Sequence, residues 1–238
     1  MKAKKFLVAD GESTGLGGRA YLFDFAYTIA TRHDVLIERQ FLVREILCNP
    51  RVMLSAYASN DWRDMMGTKI FTDYIPMLAR REARLCGWRE IVETLRDDML
   101  THDVDVFSAY NLRFDMGAIA NTHRYLGHPD KVLPYRPDLL CLWEFACTTL
   151  CNTPMYHRVA HEMGNATGWI TDAGNVRTNA EKVYAYLSGE LDFIEAHTAL
   201  ADAQIETVIL HKLLAKKKTI PYNVLDHMPW RKAQVIGI

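Results

Sequence analysis

The sequence predicts a single α/β domain built on a mixed β-sheet, and three observations carry that expectation. Short apolar runs bounded by polar turns fill the first forty residues, and beyond residue 104 such runs alternate with helical stretches. Strands first, then strand and helix in alternation, is the pattern of a layered α/β arrangement. A chain of 238 residues is long enough to bury about 70% of its extended surface without a disulfide or a structural metal. Its composition, 49% hydrophobic and 24% charged, excludes the disordered and fibrous classes.

Each element follows from its local pattern. Residues 6–9, Phe-Leu-Val-Ala, read as a strand that ends in a polar turn over 10–18. Residues 21–31 and 35–43, separated by Arg32-His33-Asp34, read as a meander of two more strands. A stretch with helical texture and charge clusters such as Arg80-Arg81-Glu82 fills 51–100, an insert between the strands. Residues 104–109 form another short apolar strand. The helix over 111–126 has Asn111 as its N-cap and Gly127 as its stop. Residues 134–151, rich in Trp and Phe, predict a buried strand passing into a helix. Gly164, Gly168 and Gly174 mark 164–180 as a loop, and 180–187 and 198–214 read as helices. There is no internal repeat and no low-complexity linker. The domain therefore spans 1–214, and 215–238, with Lys216-Lys217-Lys218 and two prolines, reads as a peripheral tail.

Charge and cysteine content narrow the function classes. The 28 Lys and Arg against 29 Asp and Glu leave a net charge of −1. A protein that wraps duplex phosphates is usually basic overall, so any nucleic-acid role must use a local site. Five cysteines include no Cys-x-x-Cys pair. Cys147 and Cys151 sit four apart, as helix neighbours, and read as buried free thiols rather than half of a zinc site, which needs further ligands. The expected compartment is reducing and intracellular, and we expect a cytoplasmic location. The basic start, 1–6, is followed by no long apolar signal stretch or membrane span, so no membrane partner is expected.

Three segments carry residue types suited to chemistry. Asp10 and Glu12 lie two apart, so if the first strand runs on they share a face at its end. Two adjacent carboxylates repel, which raises one pKa unless a cation lies between them; a solvated Asp/Gly/Ser turn is the ordinary alternative. Asp115 lines up with Ala118, Ile119, Thr122 and Leu126 on the core-facing stripe of its helix, where a carboxylate needs a partner. The bland alternative is an acid in the first turn favoured by the helix dipole. Asp202 shares a stripe with Ile205 and Ile209. His197, about 140° away at helical pitch, belongs instead at the helix start, on backbone free to swing over the site; a lone His is more often structural.

Taken together, the segments resemble the DnaQ-like (DEDD) 3′–5′ exonuclease superfamily, in its His-bearing (DEDDh) branch. The first motif, Asp-x-Glu-[Ser/Thr]-Thr-Gly, stands here as Asp10-Gly11-Glu12-Ser13-Thr14-Gly15, the second, Asn-x-x-Phe-Asp, as Asn111 to Asp115, and the third, His-x4-Asp, as His197 to Asp202. The Tyr-bearing branch would place Tyr where Thr198 stands. The match covers roughly 6–214. The insert and the segment from Asn179 to Tyr186 are similar to phage and bacterial members. Other motifs fail on context. Gly15-Leu16-Gly17-Gly18 precedes a strand rather than a helix, so it forms no phosphate cradle. His157 and His161 have helical metal spacing, but Glu162 is misplaced for His-Glu-x-x-His, and they read as part of a surface or core helix. No Gly-x-Ser-x-Gly elbow occurs.

The resemblance implies a ribonuclease H-like mixed sheet flanked by helices and a metal-dependent 3′–5′ exonuclease that releases nucleoside monophosphates, most simply from single-stranded DNA. Phosphodiester hydrolysis must activate water, support charge on the phosphoryl oxygens and stabilise the leaving 3′ oxygen. Two divalent ions about 3.5–4 Å apart meet all three needs, and carboxylates are the hard ligands that Mg²⁺ or Mn²⁺ prefers. By resemblance, Asp10 bridges both ions, Glu12 and Asp202 hold the water-bearing one, Asp115 holds the second, and His197 is the general base. Ser13, Thr14 and Leu16 line the pocket for the terminal nucleotide, and Asn111 and Phe114 position it. Two alternatives stay open: an exoribonuclease that trims RNA, whose pocket must accept a 2′-OH, and a non-catalytic nucleic-acid-binding member of the fold. DNA against RNA preference and oligomeric state are not fixed by these residues.

Overall fold

Eight residues, Phe6–Ser13, form the strand on which the molecule is built (β1). In the computed structural model, which describes residues 3–15, 17–56 and 69–234, this strand has a neighbour on each side. Leu7 and Ala9 enter one apolar core, and Phe6 and Val8 enter a second on the opposite face. The same alternation carries Asp10 and Glu12 to the face of Phe6 and Val8.

The meander follows as expected. Leu22–Ala30 (β2) runs antiparallel to β1, and Val35–Val43 (β3) runs antiparallel to β2. β2 is buried along its whole length. Phe23, Phe25, Tyr27 and Ile29 fill the first core, whereas Asp24 and Thr28 lie on the other face, where buried polar groups must be paired. Arg84–Cys86 (β4) pairs parallel with β3, Val106–Ala109 (β5) with β1, and Asp138–Cys141 (β6) with β5. The order is β4-β3-β2-β1-β5-β6, and β2 alone runs against the other strands of this sheet. This is the mixed, helix-flanked, ribonuclease H-like α/β arrangement that the sequence predicts.

Helices cover both faces. Arg44–Leu47 (α1), Pro50–Ala56 (α2) and Ile75–Arg80 (α3) precede Trp88–Thr101 (α4) and Leu112–Tyr125 (α5). Trp88, Ile91, Val92, Leu95 and Met99 of α4 join Leu112, Ala118 and Ile119 of α5 in the first core. The second core receives Leu142–Ala146 (α6), Pro154–Met163 (α7), Ala180–Ser188 (α8) and Ala199–Lys216 (α9). Cys147 and Cys151 are free and buried there, and the loop glycines Gly164, Gly168 and Gly174 all adopt positive φ. His157 belongs to the core and meets the Ala233 carbonyl through Nε2 at 2.6 Å.

Two stretches differ from the sequence reading. The 51–100 stretch, read as mostly helical, also carries an edge strand, Arg84–Cys86, whose three residues are too few to show alternation, and its residues 57–68 lie outside the described residues. The tail is not peripheral. Ile220 and Tyr222 pack on the second core, Asn223 exchanges hydrogen bonds with the Leu139 backbone (2.7 and 3.0 Å), and Trp230–Ala233 (α10) buries Ala233. Lys232 Nζ lies 2.7 Å from the buried Glu144 carboxylate. The tail is anchored by backbone and side-chain hydrogen bonds and by the Lys232–Glu144 ion pair, and none of these leaves a periodic pattern in the sequence. Among the described residues no helix is long and apolar enough to cross a membrane.

One hydroxyl ties α5 to the start of β2. Thr122 Oγ1 accepts the Leu22 N–H (2.9 Å) and donates to the Ala118 carbonyl (2.7 Å), all within the core. Thr122→Val keeps the shape and strands the Leu22 N–H. We expect a loss of about 1–3 kcal/mol in urea denaturation; an unchanged midpoint would show that the tether is dispensable.

Candidate active site

The acids gather where β1 outruns β5. Their pairing ends at Val8 and Ser108, after which β5 leads into α5 while β1 continues to Ser13. Asp10 and Glu12 stand on this unshared end, half-buried. Crevices of this kind, beyond the carboxyl ends of strands, are where α/β sheets bind ligands. Asp115 arrives from the first turn of α5 and is buried.

α9 supplies the remaining groups, and its start is fixed by Asp24. That carboxylate lies opposite Glu12 in the β1–β2 register, accepts the Ala199 N–H (3.0 Å) and takes both Gln40 Nε2 contacts (3.0 and 3.1 Å). An acid at a helix N-terminus satisfies an open backbone donor and the dipole together. Burial pushes Asp24 up to about 6, against bonds from Ala199, Gln40 and Tyr74 that favour the anion. With the helix start set, Asp202 lies in its first turn and Glu206 one turn later, both buried. Glu206 Oε2 accepts the Tyr110 N–H (3.0 Å), which ties α9 to the segment that leads into α5.

His197 stands just before the helix in a left-handed conformation (φ 53°). Lys69 Nζ donates to the Ala196 carbonyl (2.6 Å) and also to the His197 carbonyl. The imidazole Nδ1 lies 3.9 Å from Glu195 Oε2. Burial, with Lys69 adding to it, holds the His197 pKa below its ordinary 6.5. The half-exposed ring agrees with the expected place at the helix start, although Lys69 props its backbone.

Ligand atoms of Glu12, His197 and Asp202 all lie within 4.8 Å of one another. Asp10 feels the charges of Glu206, Asp115, Glu12 and Asp202 together, and burial first, then these neighbours, push it well above the carboxylate range. Burial and then Asp202 and Asp24 raise Glu12 to about 8. Burial lifts Asp115 to about 8. Asp202 rises to about 7 because burial outweighs the relief from Lys69. Glu195, buried beside Asp202 and Glu181, rises to about 8, and burial and Asp115 hold Glu206 high as well. Crowded, dry carboxyls of this kind favour protons or a cation.

The donor set fits a divalent metal. It consists of hard carboxylate oxygens with one imidazole nearby. Asp202 Oδ1 is buried without a hydrogen-bond partner among the described residues, an acceptor for which a cation is the natural match.

The structure brings Asp10, Glu12, Asp115, His197 and Asp202 into one cluster. The nucleotide-pocket residues differ more. Ser13 donates its hydroxyl to the Gly15 carbonyl (2.9 Å). Thr14 is buried, and its Oγ1 is used within the turn, donating to the Arg19 carbonyl and accepting the Tyr21 N–H (3.1 and 3.2 Å). Its hydroxyl therefore shapes the turn rather than facing a ligand. Leu16 lies outside the described residues. Asn111 occupies the cap position of α5, but its side chain makes no cap hydrogen bond among the described residues. Phe114 packs partly on the first core. Sequence reasoning missed Asp24, Glu195, Glu206 and Lys69. Glu206 was detectable as a second acid at i+4 from Asp202, and Asp24 as a lone acid in an apolar strand.

No family model and no curated protein matches the chain. Among solved structures, it is similar to exonuclease X in complex with 5′ overhanging duplex DNA, at 14% identity and a TM-score of 0.43, over 90% of this chain and 95% of that one. It is also similar to exonuclease I in complex with the inhibitor BCBP, at 14% identity and a TM-score of 0.49, over 90% of this chain and 44% of that one.

The raised carboxyls set the pH dependence of stability. The folded state holds protons that the unfolded chain releases near 4–4.5, so stability is fully present below that pH and is lost as pH climbs to about 8. We expect the metal-free protein to melt progressively lower between about pH 5 and pH 8. The slope should shrink in Asp10→Asn and under saturating Mn²⁺. A melting temperature that rises over this range, or an Asp10→Asn slope equal to that of the wild type, would contradict the account.

Proposed function

We propose that the chain is a metal-dependent 3′–5′ exonuclease that releases nucleoside monophosphates from the 3′ end of a single strand. The observation that carries this reading is the convergence of four acids from three elements in one cluster, with an imidazole within 4.8 Å of two of them. Asp10, Glu12, Asp115 and Asp202 would hold two Mg²⁺ or Mn²⁺ ions. When bound, such ions supply Lewis-acid polarisation of the phosphate and charge support for the leaving oxygen.

The protein's own groups do the rest. His197, neutral at pH 7 because its pKa is held low, accepts the proton of the attacking water at an imidazole nitrogen. Lys69 fixes the backbone that carries the ring and places a positive charge beside the acids. Asp24 sets where α9 begins and hence where Asp202 stands. Ser13 is the chain neighbour of Glu12, and Asn111 and Phe114 lie within four residues of Asp115, so the terminal nucleotide would sit between these two segments.

Three outcomes test this reading. Asp10→Ala or Asp202→Ala should lower nuclease activity at least ~10²-fold, the scale of losing a key transition-state group, while the variants stay folded by circular dichroism; near-wild-type rates would remove these residues from the centre. For His197, log(rate) should climb with pH and flatten above a pKa below 6.5. His197→Ala should lose most activity together with that acid limb, and a limb that persists would assign the base to another group. Linear 3′-OH single strands should be shortened stepwise, circular strands left intact and 3′-phosphate ends slowed, with EDTA abolishing turnover and Mn²⁺ restoring it. Rapid cutting of circles would mean an endonuclease. Running DNA and RNA strands side by side sets the preferred sugar.

A further inference from the structure

A second concave surface begins where the acid cluster ends. Tyr110, whose N–H is bonded to Glu206, and Asn111, at the head of α5, stand at one end of a groove of about 580 Å³. That volume lies within the about 300–1,000 Å³ typical of small-ligand pockets. Trp143, Arg177, Thr178 and Trp230 also line it. The polar edges of its rings are satisfied internally. Trp143 Nε1 donates to Thr178 Oγ1 (2.7 Å), and the Tyr110 hydroxyl donates to the Thr178 carbonyl (2.6 Å). Trp143 and Trp230 are half-buried, so each keeps part of its surface open along the groove.

The groove is built before any ligand arrives. Gln234 clasps Val176 in both directions, with its Oε1 accepting the Val176 N–H (3.0 Å) and its Nε2 donating to the Val176 carbonyl (3.2 Å). This joins the 171–179 loop to the tail segment that carries Trp230. Preorganisation of this kind lowers the ordering cost of binding. The charge also differs from that of the cleft next to it. Among the described residues no carboxylate lines the groove, Arg177 is exposed within it, and the Arg231 guanidinium lies 5.6 Å from the Trp230 ring centroid. Aromatic faces, guanidinium groups and asparagine amides without acids are the recognition chemistry of single-stranded nucleic acid, in which bases stack and phosphates pair.

We propose that this groove binds the single strand on the 5′ side of the terminal nucleotide, with bases stacked on Trp143 and Trp230 and a backbone phosphate on Arg177. Its assignment to the 5′ side rests on the nuclease reading above; its nucleic-acid chemistry does not.

Fluorescence anisotropy of a 5′-labelled thymidine dinucleotide and decanucleotide tests the proposal, with calcium replacing the active metal so that the strands stay intact. The wild type should bind the decanucleotide more tightly than the dinucleotide. Trp230→Ala and Arg177→Glu should each weaken decanucleotide binding about tenfold, the scale of one lost stacking or phosphate contact, and Trp230→Phe should recover most of the loss. Arg177→Glu should also flatten the salt dependence. Because Arg177 is exposed, that variant keeps the test decisive even if Trp230→Ala misfolds. Equal decanucleotide affinity in wild type and Arg177→Glu, or no decanucleotide binding by the wild type, would overturn the groove. The nuclease reading fails separately, through absence of hydrolysis with Mn²⁺ while length-dependent binding persists.

Discussion

Mutual repulsion among crowded, largely buried carboxyl groups at the end of β1 is the constraint to which the rest of the structure answers. Asp10 stands at their centre and feels Glu206, Asp115, Glu12 and Asp202 together. Such a cluster opposes folding unless it is protonated or neutralised by a cation, because buried charge without a counter-charge is costly. Two apolar cores clamp the sheet from both sides, and the acids enter from its central strand and from the first turns of two helices. Lys69 is the cation that lowers the pKa of both Glu12 and Asp202.

The positioning devices are themselves buried acids used in a different way. Asp24 has a raised pKa, yet its oxygens are taken by the start of α9 and by Gln40. Glu206 holds the Tyr110 N–H and so couples α9 to the strand end that feeds α5. These two bonds set the spacing between Asp202 and Asp115, which sit on helices packed against opposite faces of the sheet. Glu206 also marks a boundary: acids crowd one side, and the groove lined by Trp143 and Trp230 starts at Tyr110 and Asn111 on the other.

Much of this arrangement was legible in the sequence, for local reasons. The alternation at 6–9 and the stripe from Asp115 to Leu126 reveal which faces are buried, and three motifs in order reveal which acids meet. Asp24, Glu206 and Lys69 escaped because their roles are defined by partners far away in sequence. Asp24 to Ala199 spans 175 residues and Lys69 to His197 spans 128. The tail escaped for the same reason, since Asn223, Lys232 and Gln234 are held by polar contacts to distant segments. Thr14 shows the converse: a motif position marked it for the nucleotide pocket, but its hydroxyl closes the turn.

The central claim is that burial and repulsion keep these carboxyls protonated near neutral pH until a divalent cation replaces the protons. Calorimetric titration with Mn²⁺ near pH 7, repeated in buffers of different ionisation enthalpy, counts the protons released on binding. The account predicts saturable binding with net release of about one proton or more per chain, and reduced release in Glu12→Gln. Binding without proton release, or no Mn²⁺ binding at all, would contradict it.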